Sequence, residues 1–139
     1  MPVFSSAEEA EKLYLGFFEH ITQHPELRPK FVESGASFRA NYTEPDSAVS
    51  VDARVDPPEV KVGDEARAVD VDVSLFMTAD DGHKFWLGDL NIPMAMARRK
   101  VKIEGSVGTL LKMLPAMQPA FKMYPAYLTE QGMADKLDG

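Results

Sequence analysis

The spacing of apolar residues changes period twice along this chain, and those two changes limit what it can fold into. From Ala10, the side chains of Leu13, Tyr14, Phe17, Phe18 and Ile21 recur at helical spacing. Ser6 followed by Glu9 is a capping-box pattern, so a helix with one broad apolar face is predicted from Ala7 to Thr22. Pro25 and Pro29 punctuate the next stretch, where a short helix from Pro25 to Glu33 should end at Gly35. At Ser37 the period becomes two. Phe38, Ala40 and Tyr42 alternate with polar residues, Glu44-Pro45-Asp46-Ser47 is turn chemistry, and Val49, Val51, Ala53 and Val55 alternate again, which makes a hairpin. Pro57 and Pro58 break the ladder, leaving Val60-Lys61-Val62 as an edge piece before a Gly63-Asp64 turn.

The longest alternation predicts a strand from Ala66 to Met77, with Val69, Val71, Val73, Leu75 and Met77 on one face and Asp70, Asp72 and Ser74 on the other. One buried face and one wet face are the mark of a largely antiparallel sheet. Phe76 sits on the wet face, where it either covers a sheet edge or marks a partner contact. Thr78 can cap a short helix running to Leu87 and stopped by Gly88. A second short segment, Met94 to Arg98, follows Asn91 and Pro93. Val101 and Ile103 form a last strand ended by Gly105. From Val107 the helical period returns through Leu110, Leu111 and Leu114, and Pro115 should kink or end that helix. Residues from Thr129 onward read as a frayed or loosely docked tail.

Composition excludes several function classes. With hydrophobic residues at 45% and charged residues at 27%, the chain is an ordinary globular sequence and not a disordered one. Its length fits one domain over residues 1–139. A net charge of −7 argues against nucleic acid, whose binding depends on an excess of Lys and Arg. The one basic cluster, Arg98, Arg99, Lys100 and Lys102, is either the solvated edge of an element or a site of transient contact with an anionic membrane surface. The chain has no cysteine, so disulfides and thiolate chemistry are out. No secretory signal and no membrane-spanning apolar run are visible, and the expected place is the cytoplasm.

Candidate catalytic groups are sparse. His20 and His24 have the spacing of a helical metal pair, but no third ligand is evident and surface histidines explain them as well. His83 beside Asp80 and Asp81 invites an acid–base reading for a hydrolase or isomerase, although capping and turn solvation account for those carboxylates. No Gly-x-Ser-x-Gly elbow and no glycine-rich phosphate loop occur. The sequence thus calls for no catalytic residue, metal or cofactor. What stands out instead is apolar and adaptable. Met94, Met96, Met113, Met117, Met123 and Met133 all follow residue 90, and methionine suits surfaces that accept varied apolar partners. Core filling and the roof of a cavity both fit that pattern. Prolines at 115, 119 and 125, and more apolar residues than one helical stripe needs, favour the roof.

Four stretches in this order resemble the sterol carrier protein (SCP-like) lipid-transfer family. They are Asp72-Val73-Ser74-Leu75-Phe76-Met77-Thr78, Trp86-Leu87-Gly88-Asp89-Leu90-Asn91, Ala95-Met96-Ala97 through Val101-Lys102-Ile103-Glu104-Gly105, and Leu110-Leu111-Lys112-Met113-Leu114. The likeness covers roughly Phe38 to Leu114. A glycine commonly precedes the Lys-apolar-Lys strand in that family, and Arg98-Arg99 occupies the approach here. The resemblance implies an α+β fold, a mixed and mostly antiparallel five-stranded sheet covered on one face by helices. It also implies an apolar tunnel for fatty acyl chains, acyl-CoA or sterol-like lipids.

The expected activity is binding and intracellular transfer of such ligands. The alternative is an accessory or dimerisation module paired with a lipid- or steroid-metabolising enzyme. Leu75, Met77, Phe85, Trp86, Met94, Leu110, Leu114, Met117 and Phe121 are the candidate cavity lining. Val107–Leu114 is expected to be a fixed wall, and the segment from Pro115 to Tyr127 the movable gate.

Overall fold

The computed structural model describes residues 3–138. Helix α1 spans Ala7–Thr22, and the Ser6 hydroxyl accepts from the Glu9 N–H at its start. The reciprocal half of the box is displaced by one residue: the Glu9 carboxylate takes the Ser5 N–H and hydroxyl. The short α2, Arg28–Ser34, stops at Gly35 in the left-handed conformation. The strands are β1 Ser37–Thr43, β2 Ser47–Asp52, β3 Glu59–Val62, β4 Val73–Thr78 and β5 Lys102–Gly105, in the order β3-β2-β1-β4-β5. All neighbours are antiparallel except β1 and β4, which pair in parallel. The sheet is therefore mixed and mostly antiparallel, as its resemblance implied.

Pleating puts Phe38, Ala40 and Tyr42 of β1 beside Val73, Leu75 and Met77 of β4 on one face. Helices α1, α4 (Ala79–Trp86) and α6 (Val107–Glu130) pack over that face, and the short α5 (Ile92–Ala97) flanks it. Thr78, Asn91 and Ser106 cap α4, α5 and α6 through side-chain oxygens. Phe17 and Phe18 of α1 meet Trp86 of α4 at 5.1 and 5.4 Å between ring centres, and Phe17 meets Tyr124 of α6 at 4.8 Å.

The expected strand from Ala66 is shorter than its alternation. It begins at Val73, and Gly63–Arg67 is a helical turn, α3, with Ala66 buried. The reason is the partner. Strand β1 begins only at Ser37, so nothing pairs with residues 69–71. The exposed-face guanidinium of Arg39 instead donates to the carbonyls of Ala66, Arg67 and Val69, the last at 2.7 Å. A side chain thus satisfies the backbone groups a ladder would have used. Phe76 lies on the far face, half-buried, with the Lys102 ammonium 5.8 Å above its ring.

Helix α6 does not end at Pro115. It runs unbroken through Pro115, Pro119 and Pro125 for 24 residues. Each interior proline costs about 3 kcal/mol, and each fully buried large apolar side chain returns roughly 1.5–3 kcal/mol. Leu110, Met113, Met117, Tyr124 and Leu128 are all buried along one continuous stripe, so packing keeps the helix in register. The segment beyond it is docked. Lys136 reaches the Val3 carbonyl at 2.8 Å and Glu9 at 3.0 Å.

Two backbone positions, one before β5 and one at its last residue, have positive φ. Gly105 has φ +93°, and a Cβ there would collide with the Asp72 carbonyl. Arg99 takes φ +61°, so an arginine adopts a conformation that glycine holds without strain. Arg99→Gly should raise unfolding stability in urea by about 1 kcal/mol, and Arg99→Val should lower it, since a branched Cβ suits that region least.

Candidate functional site

Between the sheet and the helices lies a cavity whose floor is Phe38, Ala40, Tyr42, Leu75 and Met77. Its roof is the first half of α6 through Leu110, Met113, Leu114 and Met117, and its walls are Phe18, Phe85, Trp86 and Ile92. The strands supply the floor because alternate residues of β1 and β4 face one way. The roof residues lie at helical spacing on one side of α6. Gly82 opens the remaining wall: a Cβ there would stand 2.6 Å from Cε1 of Tyr42.

The cavity is small, about 40 Å³. That is space for a few waters, far below the roughly 300–1,000 Å³ of a site holding a small-molecule ligand. In this structure it is a narrow seam. Its lining residues are apolar apart from the Tyr42 phenol and the Trp86 indole N–H. Tyr42 stacks on Tyr14 with ring centres 4.8 Å apart, and the Tyr14 hydroxyl donates to the Ala79 carbonyl at 3.2 Å. Burial pushes both phenols above the usual range, so they stay neutral.

Seven of the expected lining residues meet there: Leu75, Met77, Phe85, Trp86, Leu110, Leu114 and Met117. Two do not. Phe121 stacks behind the wall, 5.1 Å from Phe85 and 5.3 Å from Trp86. Met94 is exposed on α5, because Ala95 is the residue that this short helix buries. Phe18, Phe38, Ala40, Tyr42, Gly82, Ile92 and Met113 complete the lining. The alternation of Phe38, Ala40 and Tyr42 marked them as core, but nothing local said that β1 would lie beside β4.

The packing of α6 buries part of the segment expected to be the gate. Ala120, Tyr124 and Leu128, beyond Pro115, have no exposed surface, whereas Val107 and Leu111 before it are exposed. The later half is anchored because it lies against α1, with Phe17 set against Tyr124 and Tyr127. The first half lies over the cavity, with α2 beside it.

His83 is buried beside this region but is absent from the cavity lining. Its Nε2 lies 2.6 Å from the Lys136 carbonyl, which can only accept, so Nε2 carries the proton. Its Nδ1 then accepts from the Tyr124 hydroxyl at 2.7 Å. Both nitrogens are thus engaged in holding the C-terminal segment onto α4 and α6. Asp80 receives the Val3 N–H, and Asp81 receives no hydrogen bond from His83. His24 accepts the Glu26 N–H, and among the described residues no group of three His, Asp or Glu side chains could hold a metal ion. A wider groove of about 500 Å³ between α1 and the end of α6 has Leu13, Leu15, Gly16, Tyr127 and Met133 in its lining, with Glu9, Lys12, Glu19 and Gln131 around them.

Sheet order and helix placement define an α+β fold with an apolar seam between sheet and helices. The model of the SCP-2 sterol transfer family matches residues 18–118, and the chain belongs to that family. No curated protein matches the sequence. Among solved structures, sterol carrier protein 2 from Yarrowia lipolytica in its apo form is similar at 14% identity and TM-score 0.61, covering 82% of this chain and 91% of that one. The sterol carrier protein domain 2 of Helicoverpa armigera is similar at 18% identity and TM-score 0.59, covering 78% and 86%. A ubiquinone synthesis protein, UbiJ-SCP2, matches at 15% identity and TM-score 0.55, covering 82% and 94%. At these identities the likeness is one of fold. Among the described residues no helix is long and apolar enough to cross a membrane.

Burial holds the His83 imidazole below its ordinary value of 6.5. The unfolded chain therefore binds this proton first as pH falls, and stability present above about 6.5 is lost on acidification through that value. Urea midpoints should fall between pH 7.5 and 5.5 by a margin that shrinks in His83→Gln. Glu9, held low chiefly by its hydrogen bond with Lys136, releases its contribution only below its ordinary 4.5, outside that window.

Proposed function

We propose that this chain acts as one sterol-carrier-like domain that binds a fatty acyl chain, acyl-CoA or sterol-like lipid between α6 and the sheet and carries it between apolar sites in the cytoplasm. The observation that carries this reading is the apolar seam beneath the first half of α6, lined from both the sheet and the helices. Met77, Met113 and Met117 line it, and unbranched thioether side chains re-pack around an entering chain at little cost. Membership of a sterol transfer family supports the same class of ligand.

The energetics suit a carrier. Burying a sixteen-carbon chain yields on the order of 12 kcal/mol at ~0.8 kcal/mol per methylene. Association itself costs ~4–15 kcal/mol, and opening the seam adds to that cost. Moderate affinity follows, which lets cargo leave as readily as it enters. With a neutral phenol and an indole N–H as the polar groups among the lining side chains, the site grips the apolar body of the ligand and selects weakly among head groups.

Native mass spectrometry of purified protein should show co-purifying lipid, and a fluorescent fatty acid should bind at micromolar concentration. Leu114→Trp, which fills the seam from a half-buried roof position, should weaken fatty-acid binding at least tenfold with the unfolding midpoint little changed. Absence of both lipid and fatty-acid binding in the wild type would end the reading.

A further inference from the structure

The acidic charge of this chain is unevenly distributed. Residues 92–122 hold six Lys and Arg against one acidic residue, Glu104, while the rest of the chain holds nine against twenty-one. The exposed large apolar side chains share that segment. Met94 and Met96 on α5 are 52% and 40% exposed, and Val107 and Leu111 on α6 are 46% and 59% exposed. Among the described residues, Arg98, Arg99, Lys100 and Lys112 make no ion pair, and all four are exposed. The basic turn and the apolar residues therefore border the same cavity mouth, since Ile92 of α5 and Leu110 and Leu114 of α6 line it from inside.

Resting on the lipid-carrier reading, we infer that the α5–β5–α6 face docks on an anionic lipid bilayer, and that docking opens the seam. The charge selects the partner. A positive face on an acidic protein is attracted to a negative surface and turned towards it, while the remainder of the molecule is repelled. The apolar side chains define the depth, since isolated Met, Val and Leu among Lys and Arg are placed to enter the interface between head groups and acyl chains.

The opening step follows from α6 itself. Its first two turns set Leu110, Met113 and Leu114 inward and Val107 and Leu111 outward, with Lys112 exposed beside them. The outward pair faces water, where apolar surface is unfavourable. A bilayer offers that pair an apolar partner and competes for the helix. Pro115 and Pro119 lack the N–H groups that would bond the carbonyls of Leu111 and Pro115. The joint between the first turns and the anchored remainder is therefore the weakest part of the helix, so the roof can swing while Tyr124 and Leu128 stay in place.

The test is flotation with phosphatidylcholine vesicles, with and without phosphatidylserine, alongside transfer of a fluorescent fatty acid from the same vesicles. The wild type should float with the phosphatidylserine vesicles, lose that binding as salt rises, and take up lipid faster from them. The triple variant Arg98→Gln, Arg99→Gln, Lys100→Gln should lose about a hundredfold in vesicle partitioning while keeping fatty-acid affinity in solution. Leu111→Asp should slow vesicle-to-protein transfer without altering the unfolding midpoint. Equal binding to both vesicle types, or transfer that ignores phosphatidylserine, overturns the inference. So does a dimer by light scattering that Leu111→Asp dissociates with vesicle binding intact, because the face would then belong to a second copy. If the wild type binds no fatty acid in solution yet floats with salt-sensitive selectivity, the docking surface stands and the carrier reading falls.

Discussion

The parallel pairing of β1 with β4 is the contact on which the site depends. It joins residues 37–43 to residues 73–78, with Ala40 opposite Leu75 and Tyr42 opposite Met77. A hairpin could not do this, since parallel neighbours need a crossover, and here that crossover contains β2, β3 and α3. Because both strands present alternate residues to the same side, one register fixes the whole cavity floor. A shift by one residue would turn Arg39, Asn41 and Ser74 inward. The Asp72 N–H donates to the Ser37 carbonyl and the Asp72 carbonyl accepts from the Ser106 N–H, so the start of β4 is tied to its neighbours on both sides.

Above that floor, aromatic packing determines which parts of the molecule are rigid. Phe17, Phe18, Trp86 and Tyr124 form a continuous edge-to-face cluster between α1, α4 and α6, and such pairs add ~0.5–1.5 kcal/mol each beyond simple burial. The cluster holds the later half of α6. It does not reach the first half, which rests on methionine and leucine over an incompletely filled seam. One helix thus has an anchored end and a loosely supported end, divided near its prolines.

His83 illustrates how a residue with catalytic chemistry is put to structural use. A histidine near two aspartates reads from the sequence as an acid–base pair. In the fold its two nitrogens meet Tyr124 and the Lys136 carbonyl, contacts 41 and 53 residues away along the chain. Neutral and doubly bonded, it joins the last segment to the core. The Lys136 ammonium completes that joint from the other side through Val3 and Glu9.

Local pattern determined much of this protein by itself. Helical spacing and Ser6 place α1, alternation places β1 and the hairpin, Thr78 starts α4, and the order of short motifs carries the likeness to the sterol carrier family. These features depend on nearest-neighbour physics, capping and side-chain period, which the chain states residue by residue. Tertiary structure decided the remainder. The strand expected from Ala66 begins at Val73 because no partner strand exists before Ser37. Helix α6 survives its prolines because the stripe from Leu110 to Leu128 is buried. Which methionines line the seam and which face outward depends on where α5 and α6 settle against a sheet whose central pairing spans more than thirty residues. No local rule carries that information, because burial is a property of what lies opposite.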